Sequence, residues 1–320
     1  MNNIEMNTEE VNVKVLLKKQ SIKDHIIYNK WLYIMLIPGI IYFIVFKFAP
    51  MWGVSIAFKD YSPYLGFSES EWIGLEYFKD FFASPDFIRL LKNTLTLGAL
   101  NITIGFAFPI ILALLLNELR VEIYKKCIQT AIYVPHFVSW TIVASISIIL
   151  LTIDTGALAN LLEIITGKEI NILTDPGMFK PLIVMQGIWK ESGYGTIIYL
   201  AALASVDPEQ YEAALIDGAG RFKRVLHITL PAIKNTIIVM LILKCGQFLS
   251  TGFDQIFLMT NSLNRISADV FDTYVYQVGI TQGAFSYATA VGLFKSLVGV
   301  ILILGSNMVA KKIDKDSGIF

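Results

Sequence analysis

Six long apolar stretches are the feature of this sequence that most restricts its fold. Each holds roughly twenty residues, the length that an α-helix needs to cross a hydrocarbon layer of about 30 Å. Backbone polar groups in lipid must be bonded within their own segment, so such stretches form helices. The sequence therefore predicts an all-α, polytopic membrane protein with six transmembrane helices. The predicted spans are residues 31–52, 93–116, 130–152, 181–203, 236–259 and 288–310.

Composition supports this class independently. Hydrophobic residues make up 55% of the chain and charged residues 16%, against about 25% charged residues in soluble domains. The formal net charge is zero, so charge gives no reason to expect a nucleic-acid partner. Cys127 and Cys245 lie far apart and form no metal or redox spacing, which favours structural roles. The three histidines are too widely spaced to indicate a metal site.

The distribution of basic residues predicts the orientation. With residues 1–30, the loops 117–129 and 204–235, and residues 311–320 on one side, that side carries 15 Lys and Arg residues and the other side 7. Acidic residues divide equally, so the asymmetry is of the kind that the positive-inside rule weighs. No cleavable signal pattern precedes residue 31, and the first span is expected to be retained. We predict cytoplasmic N- and C-terminal tails, at 1–30 and 311–320, around a multi-pass domain at 31–310.

The loop 204–235 is charged, punctuated by glycine and patterned. Asp207 and Pro208 are a typical N-cap and first-turn pair, and a short amphipathic helix is expected to follow. Gly218 and Gly220 allow a bend that residues with a Cβ resist. A second helix can then run until Pro231 ends it. The pattern predicts a helix-turn-helix at the cytoplasmic membrane surface.

The loop contains Glu212-Ala213-Ala214, then Gly218, and ends with Ile228-x-Leu230-Pro231. With this pattern it resembles the EAA loop of ABC-importer permeases, and Asp217-Gly218-Ala219 has the form found in the carbohydrate-importing branch. Pro38-Gly39 and Pro135-His136-Phe137 are similar to that branch's oligosaccharide and polysaccharide permeases. The resemblance implies the type I ABC importer permease fold and a loop that couples to a cytosolic ATPase. The residues to which it assigns this coupling are Tyr211, Glu212, Ala213, Ala214, Asp217, Gly218, Ala219, Phe222, Ile228, Leu230 and Pro231.

The resemblance also implies partners. They are an ABC ATPase dimer, a second homologous permease, an extracytoplasmic substrate-binding protein and a carbohydrate, within membrane lipid. The outer loops 53–92 and 153–180 are where the binding protein is expected to dock. ATP and Mg²⁺ belong to the ATPases, so no cofactor or metal is expected here, and the chain is predicted not to be an enzyme. The chain contains no phosphate-binding G-x-x-x-x-G-K-[ST] motif, which agrees with that assignment.

Polar residues inside the predicted spans suggest a substrate pathway, because they are costly in lipid and usually face a cavity or a bundle interior. Sugar hydroxyls need donors and acceptors, and an aromatic ring can support the apolar face of a sugar. Within the fifth span, four polar residues recur at i, i+3, i+7 and i+10 and are expected to lie on one helical face: Lys244, Gln247, Thr251 and Asp254. The predicted pathway residues are Trp140, Gln186, Trp189, Lys190, Glu191, Tyr194, Lys244, Gln247, Thr251 and Asp254.

An equally weighted alternative makes these residues structural. Buried polar side chains often hold helices together, and Lys190, Glu191, Lys244, Asp254 and Lys295 can form balanced ion pairs. For His136 a structural role is the favoured interpretation.

Two other functional classes compete with the importer hypothesis. A secondary, ion-coupled transporter would explain charges within the spans, but it usually shows an internal repeat, and none is evident. A membrane-embedded enzyme needs convergent acid and base groups, for which Glu191 and Asp254 are the available pair.

Overall fold

The computed structural model describes residues 27–313, which form helices joined by short turns. The chain divides into two units, Met1–Ser55 and Ile56–Phe320. The predicted tails lie largely outside the described residues. The main helices are α1 Lys30–Phe43, α2 Glu76–Ala83, α3 Pro85–Leu100, α4 Phe106–Asn117, α5 Glu122–Tyr133, α6 Trp140–Leu151, α7 Ala157–Thr166, α8 Pro176–Ala204, α9 Pro208–Ile216, α10 Arg221–Arg224, α11 Lys234–Gly246, α12 Phe253–Met259, α13 Phe271–Tyr276 and α14 Phe285–Ile313. This content confirms the predicted all-α class.

Shorter helical turns and one hairpin complete the described structure. Strand β1, Lys59–Asp60, pairs antiparallel with β2, Glu71–Trp72. The Tyr77 hydroxyl donates to Asp60 Oδ1 over 2.7 Å, and burial together with this bond raises the pKa of Tyr77 to about 12. The hydroxyl therefore remains a donor at neutral pH. The short turns are Ile44–Phe48, Ala49–Met51, Trp52–Phe58, Gly66–Glu69, Asn101–Gly105, Val134–Phe137, Val225–Thr229, Leu230–Ala232, Arg265–Ala268 and Gln277–Thr281.

The first unit contains a long apolar helix. Helical structure runs from Lys30 through α1 and its following turns to Phe58, over 29 residues, with a mean hydropathy of 2.1 in its most apolar window. Residues 31–51 are exposed on every side. A helix that is apolar all round is stable in lipid. This helix contains the predicted first span.

Two long helices of the second unit also match predicted spans. Pro85–Asn117, made of α3, a π-helical turn and α4, has 33 residues, and Phe285–Lys312 has 28. Ser84 caps the first of them by accepting a hydrogen bond from Asp86 N, and Pro85 occupies the first turn, where its missing N–H costs nothing. Both helices are long enough to cross a membrane.

The third predicted span is helical but broken. α5 and a 3₁₀ turn, Val134–Phe137, meet α6 at an angle of 101°. Pro135 lies in that turn, and the extended residue Ser139 caps α6 by accepting a hydrogen bond from Ile142 N. Proline removes a backbone donor and disfavours continuation of the α-helix. His136 and Trp140 therefore belong to different helical segments rather than to successive turns of one helix.

The fourth predicted span lies within α8, the 29-residue helix that Asp175 caps. Its middle carries Gln186, Lys190 and Glu191, which lower its hydropathy. Three helices of the described part are long and apolar enough to cross a membrane, or five when each bent pair counts as one span. α8 is not among them, so a total of six spans stays a prediction.

The prediction of one continuous helix over 236–259 is wrong. α11 ends at Gly246, residues 247–252 are irregular, and α12 begins at Phe253. Gly252 has φ +87°, a conformation that glycine adopts without the cost that a Cβ brings. Lys244, Gln247, Thr251 and Asp254 consequently do not share one helical face.

α8 is the central helix of the second unit. Its buried residues Phe179, Ile183 and Val184 pack with Leu97 of α3 and Ile256 of α12 in the main apolar cluster. Farther along, Tyr199 and Leu203 pack with Ala113 of α4 and with Ile233. The polar middle of α8 therefore lies between two apolar clusters, one toward each end of the helix.

Candidate functional site

The predicted coupling loop contains a hydrogen-bonded turn between two helices, α9 and α10. Asp207 caps α9 by accepting a hydrogen bond from Glu209 N over 2.9 Å, and Pro208 occupies its first turn. At the other end, Ala219 N donates to Ala214 O over 2.8 Å and Gly218 N to Leu215 O over 3.1 Å. This pair of bonds is a Schellman motif. It needs a left-handed residue, which Gly218 supplies with φ +74°, so the predicted turn at Gly218 is confirmed.

One side-chain hydrogen bond fastens α9 to the helical segment that follows. The Tyr211 hydroxyl lies 3.1 Å from Thr229 Oγ1, and Thr229 is 1% exposed. Tyr211 belongs to the predicted coupling set, whereas Thr229 was missed. A threonine between Ile228 and Leu230 reads as one more residue of a helical stretch, and only the folded loop reveals its partner.

The surface of this loop carries exposed apolar side chains. Leu215 is 61% exposed, Ile216 87% and Phe222 80%, and Glu212 and Ala213 are exposed beside them. Asp217 is exposed at the C-terminal end of α9. Ile228, Leu230 and Pro231 lie in the short helical turns that lead into α11. Exposed apolar side chains on a capped helix form a surface suited to a protein partner.

Four of the predicted pathway residues, Trp140, Lys190, Glu191 and Tyr194, meet at the bend between α5 and α6, and Trp189 precedes Lys190 on α8. With His136 and Trp189 included, this group is what we call the bend cluster, whose members are His136, Trp140, Trp189, Lys190, Glu191 and Tyr194.

Contacts within the bend cluster are close. His136 Nδ1 lies 2.9 Å from Glu191 Oε2, and the His136 ring stacks on that of Tyr194 at 4.4 Å. Lys190 Nζ donates to His136 O over 2.7 Å and lies 5.3 Å from the centre of the Trp140 ring. The cluster thus joins α8 to both sides of the bend.

Exposure divides the bend cluster into two layers. Lys190 is buried, whereas Trp189, Glu191 and Tyr194 are each about half exposed. The buried ammonium bonds a carbonyl, faces an aromatic ring and lies 3.4 Å from Glu191 Oε1, so the structural alternative fits Lys190. The outer layer offers two aromatic faces and one carboxylate, a combination that suits a sugar. His136 connects the two layers, a position that its sequence context did not indicate.

Gln186 belongs to a buried network instead. Its Nε2 donates to Ser147 Oγ over 2.7 Å, and its Oε1 accepts from Gln255 Nε2 over 3.0 Å. Gln255 also donates to Ile183 O over 2.7 Å. These bonds link α6, α8 and α12 through groups that would be costly if unpaired. The geometry favours the structural alternative for Gln186.

The four predicted pathway residues near the break in the fifth span lie apart from the bend cluster in sequence, and their exposure to solvent differs. Lys244, Gln247 and Asp254 are exposed, and Thr251 is buried with a hydroxyl that has no hydrogen-bond partner in the described part of the chain. Gln247 lines a cavity of about 390 Å³ between α11 and α14. Lys295 also lines this cavity and forms an ion pair with Asp272. Of the charged residues in the structural alternative, Lys295 is therefore paired, whereas Lys244 and Asp254 do not pair with each other.

Comparison with known proteins identifies the class. Residues 105–315 match the family described as binding-protein-dependent transport system inner membrane component. The chain is 65% identical over 292 residues to protein LplB of Bacillus subtilis (strain 168), covering 91% of this chain and 92% of that one. It is 52% identical over 309 residues to the polygalacturonan/rhamnogalacturonan transport system permease protein YteP of the same organism, covering 96% of each.

A solved structure has the same fold. It is a chain of a bacterial alginate ABC transporter, crystallised with a periplasmic protein that holds an alginate pentasaccharide. The TM-score is 0.86 at 38% identity, over 93% of this chain and 99% of that one. The protein described here belongs to the family of binding-protein-dependent transport system inner membrane components. The prediction that the chain is an ABC-importer permease with the fold of that family is confirmed. Members of this class are transport subunits rather than enzymes.

Proposed function

We propose that the chain is one transmembrane subunit of an ATP-driven importer for a carbohydrate, specifically an oligosaccharide. The observation that carries this proposal is the geometry of the coupling loop. α9 is capped at both ends, hydrogen-bonded to Thr229 and apolar on its exposed side. A helix fastened in this way transmits force from a partner to the span that follows.

The proposed partners are two ATPase subunits and a second, similar permease. ATP binding closes the ATPases, which draws the coupling loops of the two permeases together and opens the membrane cavity outward. Leu215, Ile216 and Phe222 contact the ATPase, and Glu212 makes a polar contact at its edge. The 63° bend between the segment Arg221–Ala232 and α11 carries the displacement into the membrane.

The bend cluster is the proposed contact with the sugar. Trp189 and Tyr194 support sugar rings, and Glu191, held by His136, accepts hydrogen bonds from hydroxyls. Relatives whose names refer to polygalacturonan, rhamnogalacturonan and alginate support a saccharide as the cargo. Lys244, Gln247, Thr251 and Asp254 extend the proposed path along the break in the fifth span.

The outer loops receive the sugar from a binding protein. In this proposal the tails and the coupling loop are cytoplasmic, as the distribution of Lys and Arg indicates, and loops 53–92 and 153–180 lie outside. α7 in the second loop has an exposed apolar side that includes Leu158, Leu161 and Ile165, and it contributes to the docking surface.

The decisive experiment is an affinity purification of the tagged chain from mild-detergent membranes, with mass spectrometry of its partners. We expect an ATPase and a second permease with the wild type, and selective loss of the ATPase with a Glu212→Ala/Gly218→Leu double variant. A chain that purifies alone yet still moves a sugar would refute the proposal.

A further inference from the structure

A polar cavity lies beside α9, where Pro208 and Tyr211 line it. Its volume is about 420 Å³. It is bounded by the turn that follows α4, by the last residues of α8 and by the segments that carry Tyr211 and Arg224. The size is within the range of small-ligand sites, roughly 300–1,000 Å³. The proposed mechanism gives this cavity no role.

The cavity has an excess of positive charge. Arg120 and Arg224 line it, and Glu118 is the one acidic side chain among its described lining residues. Glu118 Oε2 lies 3.9 Å from Arg221 Nε, so its charge is shared with a third arginine. The Arg224 Nε is buried and has no hydrogen-bond partner in the described residues. A buried donor without a partner costs free energy that a bound acceptor recovers.

Apolar side chains near the ends of long helices also line the cavity. Leu119, Leu203 and Val206 line the cavity, and α4 and α8 end beside it at Asn117 and Ala204. Basic pockets between helices on the cytoplasmic side of membranes bind lipid head groups. The planar guanidinium group matches the oxygens of a phosphate.

We infer that this cavity binds a phosphate group between Arg120 and Arg224. The phosphate is the head group of an anionic lipid or a soluble phosphate, since both present the same oxygens. When bound, it links the 117–120 turn to α10 and stiffens the base of the coupling loop. This inference rests on the proposed function for the cytoplasmic position of the loop.

The test uses the assembled importer, with its partner subunits, in nanodiscs of phosphatidylcholine or phosphatidylglycerol. Native mass spectrometry counts retained lipid, and inorganic phosphate is titrated into the phosphatidylcholine sample. Three variants are compared with the wild type. Arg224→Gln removes the unpaired donor, Ala204→Trp fills the cavity from the end of α8, and Lys223→Gln removes an exposed neighbouring charge as the matched control.

We expect a retained phosphatidylglycerol or a bound phosphate in the wild type and in Lys223→Gln, with binding weakened about tenfold or more in the other two variants, as for a charge-assisted hydrogen bond. Retention of the lipid alone identifies a head group as the source, and binding of phosphate alone identifies a soluble one. Equal binding in all four proteins, or no binding of either probe, overturns the inference. Recovery of the ATPase with each variant is recorded separately, so a failure of the proposed function is distinguished from a failure of this site.

Discussion

Gly193 is the residue at which α8 comes closest to the helix before the bend. A methyl group added there would overlap the carbonyl group of Ile132, with its carbon at 2.6 Å. Small residues allow backbones in membrane proteins to approach in this way. This contact sets the distance at which Glu191 and Tyr194 reach His136, so the geometry of the bend cluster depends on a residue that bears no functional group.

We predict that Gly193→Ala destabilises the protein and loosens the bend cluster. Backbone atoms of Ile132 must move to admit the methyl group, which costs about 1–3 kcal/mol by analogy with overpacked cores. Thermal unfolding of the purified chain in detergent measures the effect. Gly187→Ala on the same helix is the matched control, because nothing lies within 4 Å of its added methyl group. Equal melting temperatures for the two variants would contradict the predicted close approach.

Tyr194 tests the proposed contact with the sugar. Tyr194→Ala removes the ring that stacks on His136, and we expect uptake of a labelled oligosaccharide by the reconstituted importer to lose affinity about threefold to tenfold, since aromatic pairs contribute about 0.5–1.5 kcal/mol. Tyr194→Phe keeps the ring and is expected to retain most of the affinity. The readout is KM at a fixed binding-protein concentration. If both variants transport as the wild type does, Tyr194 lies outside the path.

At the scale of elements, the sequence predicted where helices occur better than where they break. Apolar length indicated the stretches at 93–116 and 288–310 because each lies within one long helix. Apolar length gave the wrong prediction at 236–259, because the apolar character of the sequence extends across Gly246 and Gly252 although the helix is interrupted there. Gly252 has φ +87°, and Gly246 lies so close to Ile303 that an added methyl group would meet that side chain at 2.9 Å. A pattern of apolar residues contains neither feature.

In the candidate sites, too, local features could be predicted from the sequence, whereas contacts between residues distant in sequence could not. The coupling turn was predictable because caps and a left-handed glycine are local features with their own residue types. The bend cluster was predictable only in part. Lys190, Glu191 and Tyr194 lie on one helix, but their pairing with His136 joins residues 54 to 58 positions apart. The buried bonds of Gln186 to Ser147 and Gln255 are of the same long-range kind.

Two glycines of the coupling loop permit a matched test of the turn. Added methyl groups at Gly218 and Gly220 both meet open space, but φ is +74° at Gly218 and −66° at Gly220. Gly218→Ala is expected to cost about 1–2 kcal/mol through backbone strain alone and to lower the sugar transported per ATP hydrolysed. Gly220→Ala is expected to behave as the wild type. The measurement is the ratio of sugar uptake to ATPase rate in proteoliposomes. Equal ratios for the two variants would exclude a coupling role for the left-handed turn.

At the scale of the whole molecule, the coupling loop and the β1–β2 hairpin are expected on opposite sides of the membrane. In the predicted topology, fifteen of the basic residues outside the spans lie on the side of the loop and seven on the other. This asymmetry sets the orientation in the positive-inside rule. The orientation determines which partner each surface meets, because ATPases act only from the cytoplasm.

Cysteine labelling tests that orientation. Tyr64 and Ile216 are 99% and 87% exposed, so Tyr64→Cys and Ile216→Cys, each made in a Cys127→Ser/Cys245→Ser background, report the two sides. A membrane-impermeant maleimide is expected to label position 64 in right-side-out vesicles and position 216 in inside-out vesicles. The reverse pattern would invert the topology and remove the coupling loop from the reach of an ATPase. Because the ATPase is expected to cover Ile216, omitting the partner subunits should speed labelling of position 216 and leave position 64 unchanged, so the same two variants test both the orientation and the docking surface.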